Sequence, residues 1–199
     1  MRMPLILASA SRSRARMLEA AGVAFEIATP QVDEGAVKAE LKSQGATALQ
    51  CAETLARLKA KAISDKRKGA LVIGADQMLE CDGAWFDKPE DLAGARRHLE
   101  RLAGRTHALP TAVAVMLDGV GLWAGTGEPR LTMRPLSEAF ITSYLQQVGH
   151  GALSSVGAYQ LEGLGAQLFS HIDGDFFTIL GMPLLPLLAF LRGKGILAA

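Results

Sequence analysis

Short apolar runs alternate with amphipathic stretches through the first third of the chain. Residues 4–8 form an apolar run one strand long, and 14–21 place Met17, Leu18 and Ala21 at helical spacing before Gly22, a residue suited to stopping a helix. Residues 25–28 read as a second strand. The stretch 47–64 then carries Leu49, Ala52, Leu55, Ala56, Ala60 and Ile63 along one helical face, with Thr47 placed as its N-cap. Strand, helix, strand and helix thus precede residue 70.

The pattern changes after a compact apolar strand at 71–75. Asp82-Gly83 and Asp118-Gly119 carry the usual chemistry of a hairpin reversal, the second between predicted strands at 106–117 and 121–126. Between them, 91–102 is helical, with Asp91 near its start, Ala95, Leu99 and Leu102 inward, and Gly104 as its stop. Ser137 caps a helix over 138–148, 149–165 are glycine-rich and read as loop, and 166–172 read as a strand before a turn at Asp173-Gly174. The apolar stretch 176–191 is interrupted by Gly181, Pro183 and Pro186 and falls short of the roughly 20 residues of a membrane helix. It reads as a core strand and then a helix over 183–191, with both prolines in the first turn. With no repeat or linker, 1–199 reads as one mixed α/β domain, a mixed sheet flanked by helices, arranged as two lobes with a central cleft.

Composition narrows the class of ligand. A chain of 199 residues, 49% hydrophobic, can build a sizeable core, and a net charge of +1 argues against a broad grip on nucleic acid polymers or an anionic membrane. Cys51 and Cys81 form neither a disulfide framework nor a zinc pattern, which fits a reducing cytoplasm. The opening MRMPLILASASRSR has a basic residue, but its apolar core is shorter than the roughly 7–15 residues of a secretory signal, so it reads as a buried first strand.

Two elements carry candidate chemistry. Ser9, Ser11, Ser13 and Arg14 lie between a strand and a helix start, where hydroxyls, first-turn N–H groups and a guanidinium can converge on phosphate oxygens; the alternative is that the serines cap and turn while the arginine is solvated. Asp76 directly follows the strand 71–75 in Gly74-Ala75-Asp76-Gln77. Burying an unpaired carboxylate there is costly, so a pocket role competes with that of a turn cap. Lys59 and Lys88 are binding candidates set against ordinary surface lysines, and Asp33-Glu34 are paired acids in a loop that could ligate metal or water or simply be solvated. No G-x-S-x-G elbow, complete P-loop or H-E-x-x-H occurs, and His98, His107, His150 and His171 lack ligand spacing, which argues against a serine hydrolase, kinase or zinc enzyme.

Read in order, LASAS with Arg14, VDE at 32–34, LARLKA at 55–60, GADQ at 74–77, DKP at 87–89, LAGRTH at 102–107, VGAYQLEGLG at 156–165 and GDFFTILGMPL at 174–184 resemble the Maf family of nucleoside triphosphate pyrophosphatases, from residue 5 to about 192. The resemblance implies a mixed α/β fold with a cleft between two lobes, a homodimer, and hydrolysis of a nucleoside triphosphate to the monophosphate and diphosphate with a divalent metal, magnesium or manganese. By position it makes Asp76 the base, Ser9, Ser11, Arg14, Lys59 and Lys88 the phosphate group, and Glu34 with Asp76 the metal ligands. Ser13, Gln77 and Glu162 fall at positions of base choice. Gln77 and Glu162 resemble the branch acting on 7-methyl-GTP rather than that acting on dTTP and UTP, and a carboxylate suits the N1–H and exocyclic amine of a guanine edge. Ser13, Arg12 and Phe177 depart from the residues common in relatives. The rival of another class is a non-catalytic nucleotide-binding regulator of septum formation.

Overall fold

The computed structural model describes residues 3–198; Met1, the basic Arg2 of the opening run and Ala199 lie outside them. The elements run β1 Leu5–Ala8, α1 Arg12–Ala20, β2 Glu26–Ile27, α2 Glu34–Ser43, α3 Ala48–Ser64, β3 Leu71–Gln77, β4 Leu79–Cys81, β5 Ala84–Phe86, α4 Leu92–Leu102 and β6 Thr106–Ala108. They continue as β7 Thr111–Leu117, β8 Val120–Gly127, β9 Arg130–Met133, α5 Glu138–Val148, β10 Phe169–Asp173, α6 Phe176–Ile179 and α7 Leu184–Gly193, with two 3-10 turns between α5 and β10. The chain divides into two compact units, one of Met1–Gln77, Thr111–Gly127 and Asp175–Ala199, the other of Met78–Pro110 and Glu128–Gly174.

The first unit holds a mixed sheet in the order β2-β1-β3-β7-β8, with β1 parallel to β2 and β3, and β7 antiparallel to β3 and β8. Strand alternation divides its two faces. Leu5, Leu7, Leu71, Ile73, Ala75, Val113 and Val115 pack on one side against Ala15, Met17 and Leu18 of α1 and Leu184, Leu187, Leu188 and Leu191 of α7. The other side meets α3, whose capping box at Thr47 and Gln50 fixes where it starts. This contact is unusually close at Gly74: a Cβ there would lie 2.2 Å from the Ala56 carbonyl oxygen and 2.6 Å from the Ala60 nitrogen. A glycine in β3 and two alanines on α3 therefore let helix and strand backbones meet.

The second unit holds an antiparallel sheet, β10-β9-β6-β4-β5, with α4 packed on α5. Its Asp82-Gly83 turn is left-handed at both positions, as is Asp118-Gly119 in the first unit, the backbone that two-residue hairpins require. Ala158 is also left-handed, with φ 60, while fully buried; that conformation costs an alanine about 1–2 kcal/mol.

Four sequence expectations are corrected. The predicted strand 106–117 is two strands in different sheets, because Pro110 has no N–H to continue a ladder. Residues 176–179 form a helical turn, since Asp175 accepts hydrogen bonds from the Phe177 and Thr178 N–H groups and starts a helix. The loop assigned to Asp33-Glu34 is a helix start, with Asp33 capping the Ala36 N–H at 2.9 Å and Glu34 the first residue of α2. Finally, 164–168 are a 3-10 turn and the strand begins at Phe169. Among the described residues, no helix is long and apolar enough to cross a membrane.

The close approach at Gly74 gives a stability prediction. Gly74→Ala should cost about 3 kcal/mol, since backbone rather than a flexible side chain stands in the way. Urea denaturation measures it as a lowered midpoint at unchanged slope. A variant within about 0.5 kcal/mol of the parent would contradict the packing described.

Candidate active site

Asp76 lies inside β3, not beyond it, and is paired in register with Ala112 of β7. Alternation places it with Val72 and Gly74 on the face covered by α3. Lys59 occupies the buried stripe of that helix with Ala52, Leu55, Ala56 and Ile63, whereas Lys61 is exposed on another side. Its ammonium reaches Asp76 Oδ1 at 2.6 Å and Glu34 Oε1 at 2.8 Å. Lys59 and Asp76 are 7% and 5% exposed, and Glu34 is half-exposed at the start of α2.

A buried ion pair is a poor device for stability, because well-packed apolar residues in its place are often neutral or better by about 1–4 kcal/mol. The pair here is also incomplete. Asp76 Oδ2 is buried and has no hydrogen-bond partner in the protein, so the carboxylate is held by one oxygen and offers the other.

Arg14 supplies a second buried cation. Ser11 caps α1 by accepting from the Arg14 N–H at 3.4 Å, and the Arg14 guanidinium donates from Nε to the Gly181 carbonyl at 2.9 Å and from Nη1 to Ser9 Oγ at 3.3 Å. Burial pushes the guanidinium below its ordinary range, while the carboxylates of Asp76 and then Glu34 pull it back up; an arginine stays charged through such opposing effects. Ser9 Oγ accepts from both Arg14 and the Ser11 N–H at 3.2 Å, so its own proton remains to be donated. Ser13, partly exposed, is the second residue of α1, and it and Arg12 have first-turn N–H groups without partners inside the helix.

Gln77 points to the other face. Its amide nitrogen donates to Thr111 Oγ1 at 2.9 Å and to the Thr178 and Ile179 carbonyls at 3.0 and 3.1 Å. It thereby fastens α6 to the end of the central strand β3, two residues before the Gly181 carbonyl that holds Arg14. Adjacent residues of one strand thus reach Lys59 on one side and, on the other, the segment that leads into the arginine's anchor.

The structure brings together Ser9, Ser11, Arg14, Glu34, Lys59 and Asp76, all in the first unit. Lys88 and Glu162 belong to the second unit, and both are exposed. Sequence reasoning missed Gly181, Thr111 and Thr178, which act through backbone or supporting hydrogen bonds; the Asp175 cap was the available sign that this segment turns back.

No group of three metal-competent side chains occurs among the described residues. Asp76 and Glu34 are nonetheless hard oxygen donors of the kind magnesium and manganese use, and such ions commonly take one or two carboxylates and fill their remaining positions with water and phosphate.

Comparison with known proteins places the chain. A model described as Maf-like protein matches residues 4–194. A nucleoside triphosphate pyrophosphatase of Paramagnetospirillum magneticum is 54% identical over 190 residues, covering 96% of this chain and 98% of its own. One from Rhodospirillum rubrum is 52% identical over 194 residues, with 98% and 96% covered. A protein named 7-methyl-GTP pyrophosphatase from Rhizobium johnstonii is 51% identical over 191 residues, with 96% of each chain covered. The chain belongs to the Maf-like protein family.

Proposed function

We propose that the chain hydrolyses a nucleoside triphosphate to the monophosphate and diphosphate, with 7-methyl-GTP as the favoured substrate. The observation that carries the reading is the buried Asp76 carboxylate, one oxygen fixed by Lys59 and the other unpartnered, beside the buried Arg14. Relatives half identical to the chain support the reaction class by their names, and the 7-methyl-GTP name of the Rhizobium johnstonii protein supports the base.

Each residue has a role that follows from its chemistry. Asp76 Oδ2 accepts a proton from water as the water oxygen bonds to the α-phosphorus and the bond to the bridging oxygen breaks, releasing diphosphate. Lys59, at 2.6 Å from its other oxygen, holds that carboxylate in one rotamer. Arg14 offers its remaining guanidinium donors, and Ser9 its hydroxyl proton, to phosphate oxygens, while Gly181 keeps the guanidinium from turning away. Ser11 holds the helix start whose free N–H groups favour an anion. Asp76 and Glu34 would hold the divalent metal, which supplies charge neutralisation along the phosphate chain. Lys88 and Glu162 enter through family position, as a further cation for diphosphate and as the acceptor for a guanine edge. Ser13 and Gln77 enter as markers of base choice. For Gln77 the hydrogen bonds favour an indirect part, since its amide nitrogen is engaged by α6 and Thr111.

Asp76→Asn tests the base. It preserves size and can still accept from Lys59, so the far-ultraviolet spectrum should match the parent while diphosphate release falls by about 10² to 10⁴. Wild-type turnover in the folded variant would remove Asp76 from the mechanism.

A panel of 7-methyl-GTP, GTP, dTTP and UTP, scored for diphosphate with magnesium and with chelator, tests the substrate and the metal. Release should be greatest for 7-methyl-GTP and abolished by chelator. Preference for dTTP or UTP would overturn the guanine assignment, activity in chelator would overturn the metal, and release from none would favour the non-catalytic regulator.

A further inference from the structure

Two of the family-like blocks, LAGRTH and VGAYQLEGLG, contribute little to the mechanism beyond Glu162, yet they meet inside the second unit. His107 of β6 is 1% exposed and shares a 2.6 Å hydrogen bond between its Nε2 and the Tyr159 hydroxyl. Phe169 closes over both, edge-on to the tyrosine ring at 4.8 Å. Burial holds His107 down to about 4 and pushes the Tyr159 hydroxyl up, so at neutral pH the contact joins two neutral groups.

The tyrosine belongs to a turn fixed at nearly every residue. Ser155 Oγ donates to the Tyr159 carbonyl and accepts from the Tyr159 N–H at 3.1 Å. Tyr144 of α5 donates its hydroxyl to the Ala158 carbonyl at 3.2 Å. At Gly157 a Cβ would stand 2.2 Å from the Tyr159 ring. Ala158, buried and left-handed, is the residue these bonds must hold in place. Local strain that persists only because its surroundings over-determine it is a mark of sites where position matters. Three residues beyond Tyr159, the chain presents Glu162 to solvent.

We infer that His107 and Tyr159 are positioning residues for base selection, their hydrogen bond locking the 155–160 turn so that Glu162 is presented in one place. The inference rests on the proposed nucleotide reading, in which Glu162 accepts from the base. A carboxylate can discriminate between bases only if it cannot follow the wrong one, and a turn held from α5 and β6 denies it that freedom.

Tyr159→Phe removes the hydroxyl and keeps the ring against Phe169. With kcat and KM measured for 7-methyl-GTP and dTTP, it should lower the ratio of their kcat/KM values about tenfold, through KM for 7-methyl-GTP, with kcat for dTTP within about twofold of the parent. In a Glu162→Gln background the same substitution should move that ratio less than about twofold, because the group being positioned is gone. Ser155→Ala, which frees the same turn from its other end, should reproduce the shift and carries the test if Tyr159→Phe does not fold. An unchanged ratio, or an equal fall for both nucleotides, overturns the positioning role alone. A parent protein that releases diphosphate from neither nucleotide overturns the nucleotide reading, and this inference with it.

Discussion

The contact between α3 and β3 at Gly74 is the constraint on which the candidate site depends. With no Cβ at that position and alanines at 56 and 60, the helix settles against the strand closely enough for Lys59 to reach Asp76 at 2.6 Å. A larger residue at 74 would move the helix away and leave both charges buried without each other. An uncompensated buried charge is far more costly than the pair, so packing and chemistry are joined here: the helix must lie close for the ions to be tolerable. The same glycine sits two residues before the acid because alternate residues of a strand share a face.

That alternation also gives the site its second side. Asp76 and Gln77 are neighbours in sequence and face opposite layers, the first toward α3 and the second toward α6. The strand end consequently fixes two things at once: Lys59 against the acid, and the segment whose Gly181 carbonyl holds Arg14. Arg14, in turn, is joined to Ser9 at the end of β1, the strand paired directly with β3. Fixed elements rather than free loops carry the charged groups, which keeps their geometry in place before any ligand arrives.

Much of this was legible in the sequence wherever a residue's local chemistry and its tertiary use agree. Thr47 and Ser137 are good caps and do cap; Asp82-Gly83 and Asp118-Gly119 are hairpin turns in both readings. The α2 helix escaped because none of its residues is buried, so it has no apolar stripe to be read. The 176–180 run escaped for the opposite reason, since four apolar residues around the single Thr178 show no period and the Asp175 cap decided the matter. Within the site, Ser9, Arg14 and Asp76 announced themselves by residue type at strand and helix ends. Lys59 is an ordinary helical lysine by composition, and only its place on the stripe with Leu55 and Ile63 marks it as inward. The Gly181 carbonyl could not be read at all, because a backbone oxygen has no identity in a sequence and its partner is 167 residues away.

The charge of the cluster bears on what could complete it. Lys59 and Arg14 face Asp76 and Glu34, two cations against two carboxylates, so the group is close to neutral before a ligand enters. A neutral cluster costs far less to bury than an unpaired charge, which is how a buried arginine from α1 and a buried lysine from α3, on opposite faces of the sheet, are both tolerated beside the ends of β1 and β3. It is also a poor trap for a polyanion, since the carboxylates cancel the attraction the cations would exert. On the proposed reading, a triphosphate entering such a site must bring compensating charge with it, and a divalent cation, which Asp76 and Glu34 would hold, would supply that charge. The carboxylates that weaken the cluster's own hold on an anion would then be the groups that hold the anion's metal.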